Sequence, residues 1–457
     1  MKTSDVRTAE DLRHIVEERD AKNVTIAMTD TNGLLRGKYI SRDKLFSVLE
    51  GGWGMPPVIL ALDFDDVIME APVIADGSDG YADAFARALP ETCREIPWES
   101  PQRNLLVLAE YTGEEEEICP RGVYRSIEKM AADMGFQPYH ALEYEFTMFE
   151  ETALSAHAKD YRGLQLATPL KTYEVIQRQA VWSEFYNELL DCFATMDVAV
   201  ETAHEEMGPG FMEASLSPQT GVRAADNAIL FKTYTKALAQ RMGRLVTFMA
   251  RWNNDFDGQS GHLHISLKDL DGKPVFRDEA TEDSMSATMR HFLGGMQALM
   301  PELLIMLGPN VNSFKRFVPD IFAPIAATWG YENRTCALRV IRGAAKSQRI
   351  ECRTPGADAN PYLALACLLG AGLYGVKHKL EPEAPMTGNV YEQEVPEGQR
   401  FSESFRAGIE RFRASQPARE LFGDRFVDTY AATRDFQERE FRAKVTDQEL
   451  RRFFELA

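Results

Sequence analysis

Four short segments alternate a charged or hydroxyl-bearing side chain with an apolar one. In Leu142-Glu-Tyr-Glu-Phe-Thr-Met148, Glu143, Glu145 and Thr147 share one face, and in Met212-Glu-Ala-Ser-Leu216, Glu213 and Ser215 do the same. His262-Leu-His-Ile-Ser-Leu267 sets His262, His264 and Ser266 opposite Leu263, Ile265 and Leu267, and Arg349-Ile-Glu-Cys-Arg353 alternates charge with Ile350 and Cys352. Side chains two apart on a strand point the same way, so each segment has a polar face and an apolar one. Carboxylates and imidazole together bind Mg2+ or Mn2+, and guanidinium groups clamp phosphate or carboxylate through paired hydrogen bonds. An antiparallel sheet with one face in water gives the same alternation. Such faces usually carry Lys, Thr and Gln, and Lys is absent from all four. Two further segments add acids and bases near turns: His204-Glu-Glu-Met-Gly-Pro-Gly-Phe-Met-Glu213, and the stretch from Asn312 through Arg316 and Pro319 to Arg334 and Thr335.

These strands need neighbours and a covering layer, and the chain of 457 residues is long enough for two domains. Thr8-Ala-Glu-Asp11 predicts a helix start, with the helix running to about Asp20. Val24–Met28 and Leu34–Ile40 read as strands joined by the hairpin turn Asp30-Thr-Asn-Gly33. Val58–Leu62 and Leu105–Leu108 read as further strands, separated by a Pro/Gly/Asp-rich stretch without clear periodicity. The acidic run Glu114–Glu117 followed by Pro120 marks a boundary. The expected organisation is an α+β chain with a small N-terminal domain, 1–112, and a larger one, 113–457. In the larger part, Leu230, Tyr234, Leu238, Met242 and Leu245 recur as one buried helix stripe. Residues 381–400 read as an exposed loop, and 402–457 as a charged helical tail.

The 51 basic against 70 acidic residues give a net charge of −19, which argues against a nucleic-acid surface. Hydrophobic residues at 44% and charged ones at 26% are ordinary globular values, which argues against disorder. The first twenty residues hold no apolar stretch, so no signal peptide is expected. The apolar run Ala364–Val376, broken by Gly370, Gly372 and Gly375, is too short for a bilayer. The six cysteines show no CxxC pair and no metal-ligand spacing, which fits a reducing cytoplasm.

Taken together, the segments resemble the glutamine synthetase family over nearly the whole chain, most sharply from Glu143 to Tyr362. The motifs are Glu143-x-Glu145, Glu206-x-x-Pro-Gly-x-x-Glu213, His262-x-His264-x-Ser266, Asn312-Ser-x-Lys-Arg316, Asn333-Arg334-Thr335 and Arg349-Ile-Glu351-x-Arg353. Asp30-x-x-Gly33-x-x-Arg36-Gly37-Lys38 resembles the family's β-grasp signature. The resemblance implies a β-grasp N-terminal domain and a catalytic domain with a curved antiparallel sheet flanked by helices. It implies two or more Mg2+ or Mn2+ ions per subunit. Glu145, Glu206 and Glu213 match the ligands of the metal beside the amino-acid substrate, with Glu205 competing with Glu206. Glu143, His262 and Glu351 match those of the metal that grips ATP. By the same resemblance, His264, Ser266, Arg339, Lys346 and Arg349 are nucleotide and phosphate contacts. Arg316 and Arg353 match the glutamate-carboxylate clamp, Gly258 belongs to the substrate pocket, and Arg334 stabilises phosphoryl transfer. Asp63, with Asp65 close behind, is the candidate for an aspartate supplied by a neighbouring subunit. The family's assembly implies a homo-oligomer of two stacked hexameric rings, a dodecamer.

The implied chemistry brings two anions together, a γ-phosphoryl group and a carboxylate, so cations must neutralise the charge. The product, a γ-glutamyl phosphate, is attacked by a neutral amine while water is kept out. Glutamine makers carry a flap glutamate six residues after the arginine matching Arg316. In this chain that position is Phe322, and the Gln common in the Pro-Gly-Gln segment is Phe211. The Gly-Ser-Gly stretch is shortened to Gly258-Gln-Ser-Gly261. These departures surround the amine and glutamate pockets, whereas all six metal-ligand positions match. They are read as a changed amine. Three classes remain at this point: a ligase joining glutamate to an organic amine, an ammonia-using glutamine synthetase, and a catalytically silent scaffold.

Overall fold

The computed structural model describes residues 1–71, 74, 77–78, 80–171, 173–319 and 323–456. Thr8 and Asp11 close a capping box on the helix Ala9–Glu18. Strands β1 (Asn23–Thr29) and β2 (Leu35–Ser41) form the expected hairpin. Its turn is fixed by Asp30, whose Oδ1 accepts the N–H groups of Asn32 and Leu34, both at 2.9 Å, and by Gly33 at φ +80°. With β3 (Trp53–Met55), β4 (Ala84–Glu95) and β5 (Leu105–Tyr111) they build one sheet in the order β2-β1-β5-β4-β3, and β1 and β5 run parallel at its centre. Leu12, Ile15 and Val16 of the first helix, with Leu45 and Val48 of Arg42–Gly51, cover this β-grasp sheet.

Two readings of this region change. Val58–Leu62 is not a strand: Val58–Ala61 lie in the 3-10 helix Pro57–Ala61 and Leu62 caps it, because Pro56 and Pro57 have no N–H to give a ladder. Strand β4 hides in the stretch that lacks periodicity. Its pairing with β5 shifts register between Leu89 and Arg94, beside Pro90, and such a bulge erases the period of two.

The larger sheet has nine strands: β6 (Phe136–Phe149), β7 (Val200–Glu205), β8 (Phe211–Leu216), β9 (Gln219–Thr220), β10 (Leu245–Thr247), β11 (Gly261–Asp269), β12 (Trp329–Tyr331), β13 (Leu338–Ile341) and β14 (Arg349–Cys352). Its path is β12-β13-β14-β11-β6-β8-β7, with β9 and β10 also on β6, and all pairs but β12–β13 are antiparallel. Leu142, Tyr144, Phe146, Leu263, Ile265 and Ile350 bury the apolar face under the helices Arg223–Arg241, Ala287–Leu307 and Pro361–His378. Leu230, Tyr234 and Leu238 make the expected stripe. Leu245 leaves it, because Gly243 at φ +75° ends the helix and Leu245 opens β10.

The run Ala364–Val376 lies inside the buried helix Pro361–His378, and its glycines have a packing reason. A Cβ on Gly295 would stand 2.1 Å from the Ala371 carbonyl oxygen and 2.6 Å from the Gly375 backbone. The two helices therefore cross at backbone contact. Among the described residues no helix is long and apolar enough to cross a membrane. Residues 381–400 are largely exposed, as expected, and are anchored by Val390 and Val395, which close a small core with Ala326 and Cys336. The tail is helical, as Phe405–Ala414, Gln416–Ala443 and Asp447–Phe453. Its Arg434, fully buried, reaches back to Asn32 at 2.7 Å. All six cysteines are buried free thiols.

Candidate active site

The register of the large sheet gathers the polar alternates into three rows on one face. His262 of β11 stands opposite Glu143 of β6, which stands opposite Ser215 of β8. One step along, Glu145, Glu213 and His204 line up across β6, β8 and β7. In the other direction, Arg339, Glu351 and His264 align across β13, β14 and β11. Opposed residues on antiparallel strands have Cβ atoms about 4.5–5.5 Å apart, so alternation plus register is enough to concentrate the charge.

The rows floor an open cleft of about 590 Å³, lined by Glu143, Glu145, Glu206, Glu213, His262, His264, Glu351, Gly258, Arg334, Arg339, Arg349 and Arg353. A recess of about 250 Å³ continues from it and adds Ser266 and Lys346 beside His264 and Arg349. Phe211 lines the cleft, as its place among the departures implies, and so do Tyr173, Glu174 and His204, which have no assigned role in the sequence. His204 was legible, being two residues before Glu206 on the same face; Tyr173 and Glu174 come from an irregular segment with no periodic signal.

The electrostatics separate into a paired end and a frustrated end. Glu351 accepts from Arg353 at 2.6 Å and from Arg339 at 2.9 Å. Burial alone would raise its carboxyl, but His262, Arg353 and His264 hold it down at about 2. Glu143 is likewise held well below the carboxylate range against burial, with His262 Nδ1 at 3.4 Å and His264 Nε2 at 3.1 Å. The Arg349 Nε–H donates to His264 Nδ1 at 3.1 Å, so neutral His264 carries its proton on Nε2. That favours His262 over His264 as a metal ligand; the Nε2 atoms of both rings are buried without a hydrogen-bond partner. At the other end Glu213 is pushed up to about 9 by burial and then by the charges of Glu145, Glu143 and Glu206. Carboxylates that repel one another beside an unpartnered imidazole are a donor set suited to a hard divalent cation. Ligand atoms within each of three groups lie within 4.8 Å of one another: Glu143, His264 and Glu351; Glu143, Glu213 and His262; and His204, Glu206 and Glu213.

The geometry chooses between Glu205 and Glu206. Glu205 pairs with Met212 on the opposite face of β7, is 2% exposed, and accepts from Thr168 at 3.0 Å. Glu206 turns into the cleft, 3.4 Å from His204 Nε2. The turn that follows needs Gly210, at φ +63°, where a Cβ would sit 2.7 Å from the Met148 carbonyl oxygen.

Three named residues, Arg316, Asp63 and Asp65, do not line the cleft of their own chain, and the two aspartates are the ones expected from a neighbouring subunit. Arg316 lies beneath it, 1% exposed, donating to the carbonyls of Thr354 and Arg353 at 2.7 and 3.0 Å and to Ser260 Oγ at 2.6 Å. It supports the Arg353 backbone instead of presenting a free guanidinium. Gly258 is needed for this, because a Cβ there would stand 2.7 Å from Arg316 Cγ. Asp63 and Asp65 line a different cavity of the same chain, and Asp63 Oδ1 accepts the N–H groups of Asp65 and Val67, each at 2.8 Å. Phe322 lies outside the described residues.

Residues 117–453 match the family model for the glutamine synthetase catalytic domain. The chain is 36% identical over 441 residues to a type-1 glutamine synthetase of Dictyostelium discoideum, covering 95% of this chain and 84% of that one. It is 35% identical over 449 residues to a γ-glutamylethanolamide synthetase of Streptomyces coelicolor, covering 98% and 95%. The solved structure of apo GmaS superposes with a TM-score of 0.84 at 23% identity, over 97% of this chain and 99% of the other, a likeness of fold. With the cleft's motif residues aligned on one sheet face and the family model covering most of the sequence, the chain belongs to the glutamine synthetase family.

Proposed function

We propose that the protein is an ATP-dependent ligase joining the γ-carboxylate of glutamate to an organic amine, releasing ADP and phosphate. The observation that carries this is the gathering of Glu143, Glu145, Glu206, Glu213, His262 and Glu351 with four arginines in one cleft. Glu145, Glu206 and Glu213 would hold one divalent ion, with His204 beside them, and Glu143, His262 and Glu351 a second. Bound Mg2+ or Mn2+ supplies the positive charge that lets two anions meet.

The chain's own groups do the rest. Ser266, Lys346, Arg349 and His264 hold the nucleotide, with Arg339 on its phosphates. Arg353 takes the substrate carboxylate, and Arg316, as a positioning residue, fixes Arg353 from below. A γ-carboxylate oxygen attacks the γ-phosphorus in line as the bond to ADP breaks, and Arg334 faces the charge that develops. The amine nitrogen then attacks the acyl carbon, phosphate leaves, and the amine's proton passes to a carboxylate. Asp63 of a neighbouring subunit is proposed for that last role, within a homo-oligomer of two stacked hexameric rings.

The choice of an organic amine rests on Phe322 and Phe211, which put apolar rings where ammonia users place polar ones. It has company in the Streptomyces relative, whose name gives an ethanolamide product. The Dictyostelium relative's name keeps ammonia as the alternative. We further assign residues 1–112 and 113–457 to two domains and the protein to the cytoplasm. The test is phosphate release with glutamate, ATP and an amine each omitted in turn, and mass analysis of the product. Release that ignores glutamate or amine would reject the reading, and so would a silent protein.

A further inference from the structure

Three acids that line the cleft stand outside both proposed metal sets: Glu174, Glu201 and Asp257. Glu201 also faces the nucleotide recess. Asp257, raised by burial, has the cations Lys171 and Arg251 acting on it in the opposite direction. Glu174 has no such tie. Among the described residues its one ion-pair partner is the His204 imidazole, 4.0 Å away, and that nitrogen lies nearer to Glu206 and Glu213, at 3.4 and 3.9 Å. The Glu174 side chain is 55% exposed, so its carboxylate is open to a ligand.

The backbone beneath it is held where side chains are disfavoured. Glu174 sits at φ +52°, in the left-handed region, and its N–H donates to the Glu205 carbonyl at the end of β7, at 3.1 Å. Strain of this kind persists where the surroundings over-determine it, and it gathers at ligand clamps. The adjacent Tyr173 ring meets the His204 ring edge-on, with centroids 6.4 Å apart. Burial first, then the charges of Glu206 and Glu174, push the Tyr173 hydroxyl up, and Arg334 opposes them. Tyr173 and Glu174 therefore flank the reacting end of the cleft, between the acids of one metal set and the arginine that faces phosphoryl transfer. A ring beside a carboxylate that no Lys or Arg neutralises suits an ammonium group.

We propose that Glu174 selects the amine: the far ammonium of an α,ω-diamine rests on its carboxylate and against the Tyr173 ring, while the near nitrogen attacks the acyl carbon. Resting on the ligase reading above, this narrows the amine to one with a second cationic end. Glu174 touches only the end of the substrate that does not react. An exposed ion pair and one cation–π contact together give a preference of about tenfold over the alkylamine of the same length.

Specificity constants for 1,4-diaminobutane, n-butylamine and ammonia, from phosphate release by the full chain with glutamate and ATP, test this. The ratio of 1,4-diaminobutane to n-butylamine should be about ten or more in wild type and about three or less in Glu174→Gln, which keeps the ring and loses the charge. Should Glu174→Gln fail to fold, Glu174→Asn, which the left-handed backbone favours, replaces it with the same expected ratio. A wild-type ratio near one or below overturns the proposal and leaves the ligase reading standing, since n-butylamine then reacts as well. A ratio that survives in the variant also overturns it, because another group would then hold the far ammonium. Turnover with ammonia alone, or none at all, removes the organic-amine reading and this selection with it.

Discussion

Replacing Glu213 by Gln should stabilise the metal-free protein at neutral pH while removing its response to metal. Glu213 is 12% exposed and faces Glu145 across one register position, with Glu143 and Glu206 adding like charge. Its carboxyl therefore titrates at about 9 in the native chain, against 4.5 for a free one. Between those values the native state binds a proton that the unfolded chain has released, so stability falls as pH rises. At about 1.4 kcal/mol per pH step, three steps to pH 7.5 give an upper figure of about 4 kcal/mol. Water entering the open cleft reduces this, and about 2–4 kcal/mol is the working range. Gln has the shape of the protonated acid and no charge to lose. Thermal melts in a chelator at pH 5.5 and 8 should show wild type losing ground to Glu213→Gln as pH rises, and Mg2+ or Mn2+ should raise the melting temperature of wild type only. A variant that melts below wild type at pH 8 in chelator would refute the electrostatic reasoning.

Glu351→Gln should abolish glutamate- and amine-dependent ATP turnover, by about a thousandfold or more, with an unchanged circular dichroism spectrum; near-normal turnover would remove Glu351 from the site. Gln is the cleaner probe than Ala, which would strand the guanidiniums of Arg339 and Arg353. Glu206→Ala should raise the metal concentration needed for activity. Glu205→Ala should leave that requirement alone and lower stability by about 1–3 kcal/mol, because Thr168 loses its acceptor, and the reverse pattern in metal titrations would exchange their roles. Gly375→Ala should destabilise the helix crossing by at least 1–3 kcal/mol, a typical overpacking penalty; a wild-type denaturation midpoint would show that the backbones can part.

Much of the cleft is legible in the chain because alternation on a strand survives as a period of two. Glu143, Glu145, Glu213, His262, His264 and Glu351 all sit on such strands. What alternation cannot reveal is register, the fact that brings His204 opposite Glu213 and Arg339 opposite Glu351. It also cannot reveal depth. Arg316 sits in a motif with Lys315, yet its guanidinium is spent on backbone carbonyls below the floor. Glu205 and Glu206 are adjacent acids, and it takes the end of β7 at Glu205 to send one of them to Thr168 and the other to the cleft. In the smaller sheet, β4 was illegible because its bulge breaks the alternation, and Pro56-Pro57 turned an apolar strand-like run into a 3-10 helix.

The choice of amine is decided by the specificity constants for ammonia, methylamine, ethylamine, isopropylamine, ethanolamine and putrescine, measured by phosphate release at fixed glutamate and ATP. Each methylene buried against an apolar wall contributes about 0.8 kcal/mol, so two or three carbons should favour an alkylamine over ammonia by about 10- to 100-fold. A ring facing a charged amine adds cation–π attraction, which keeps ethanolamine and putrescine within the expected set. The predicted result is an organic amine at the top of the series by that margin. Ammonia as the best substrate would contradict the reading of Phe322 and make the protein a glutamine synthetase in the strict sense.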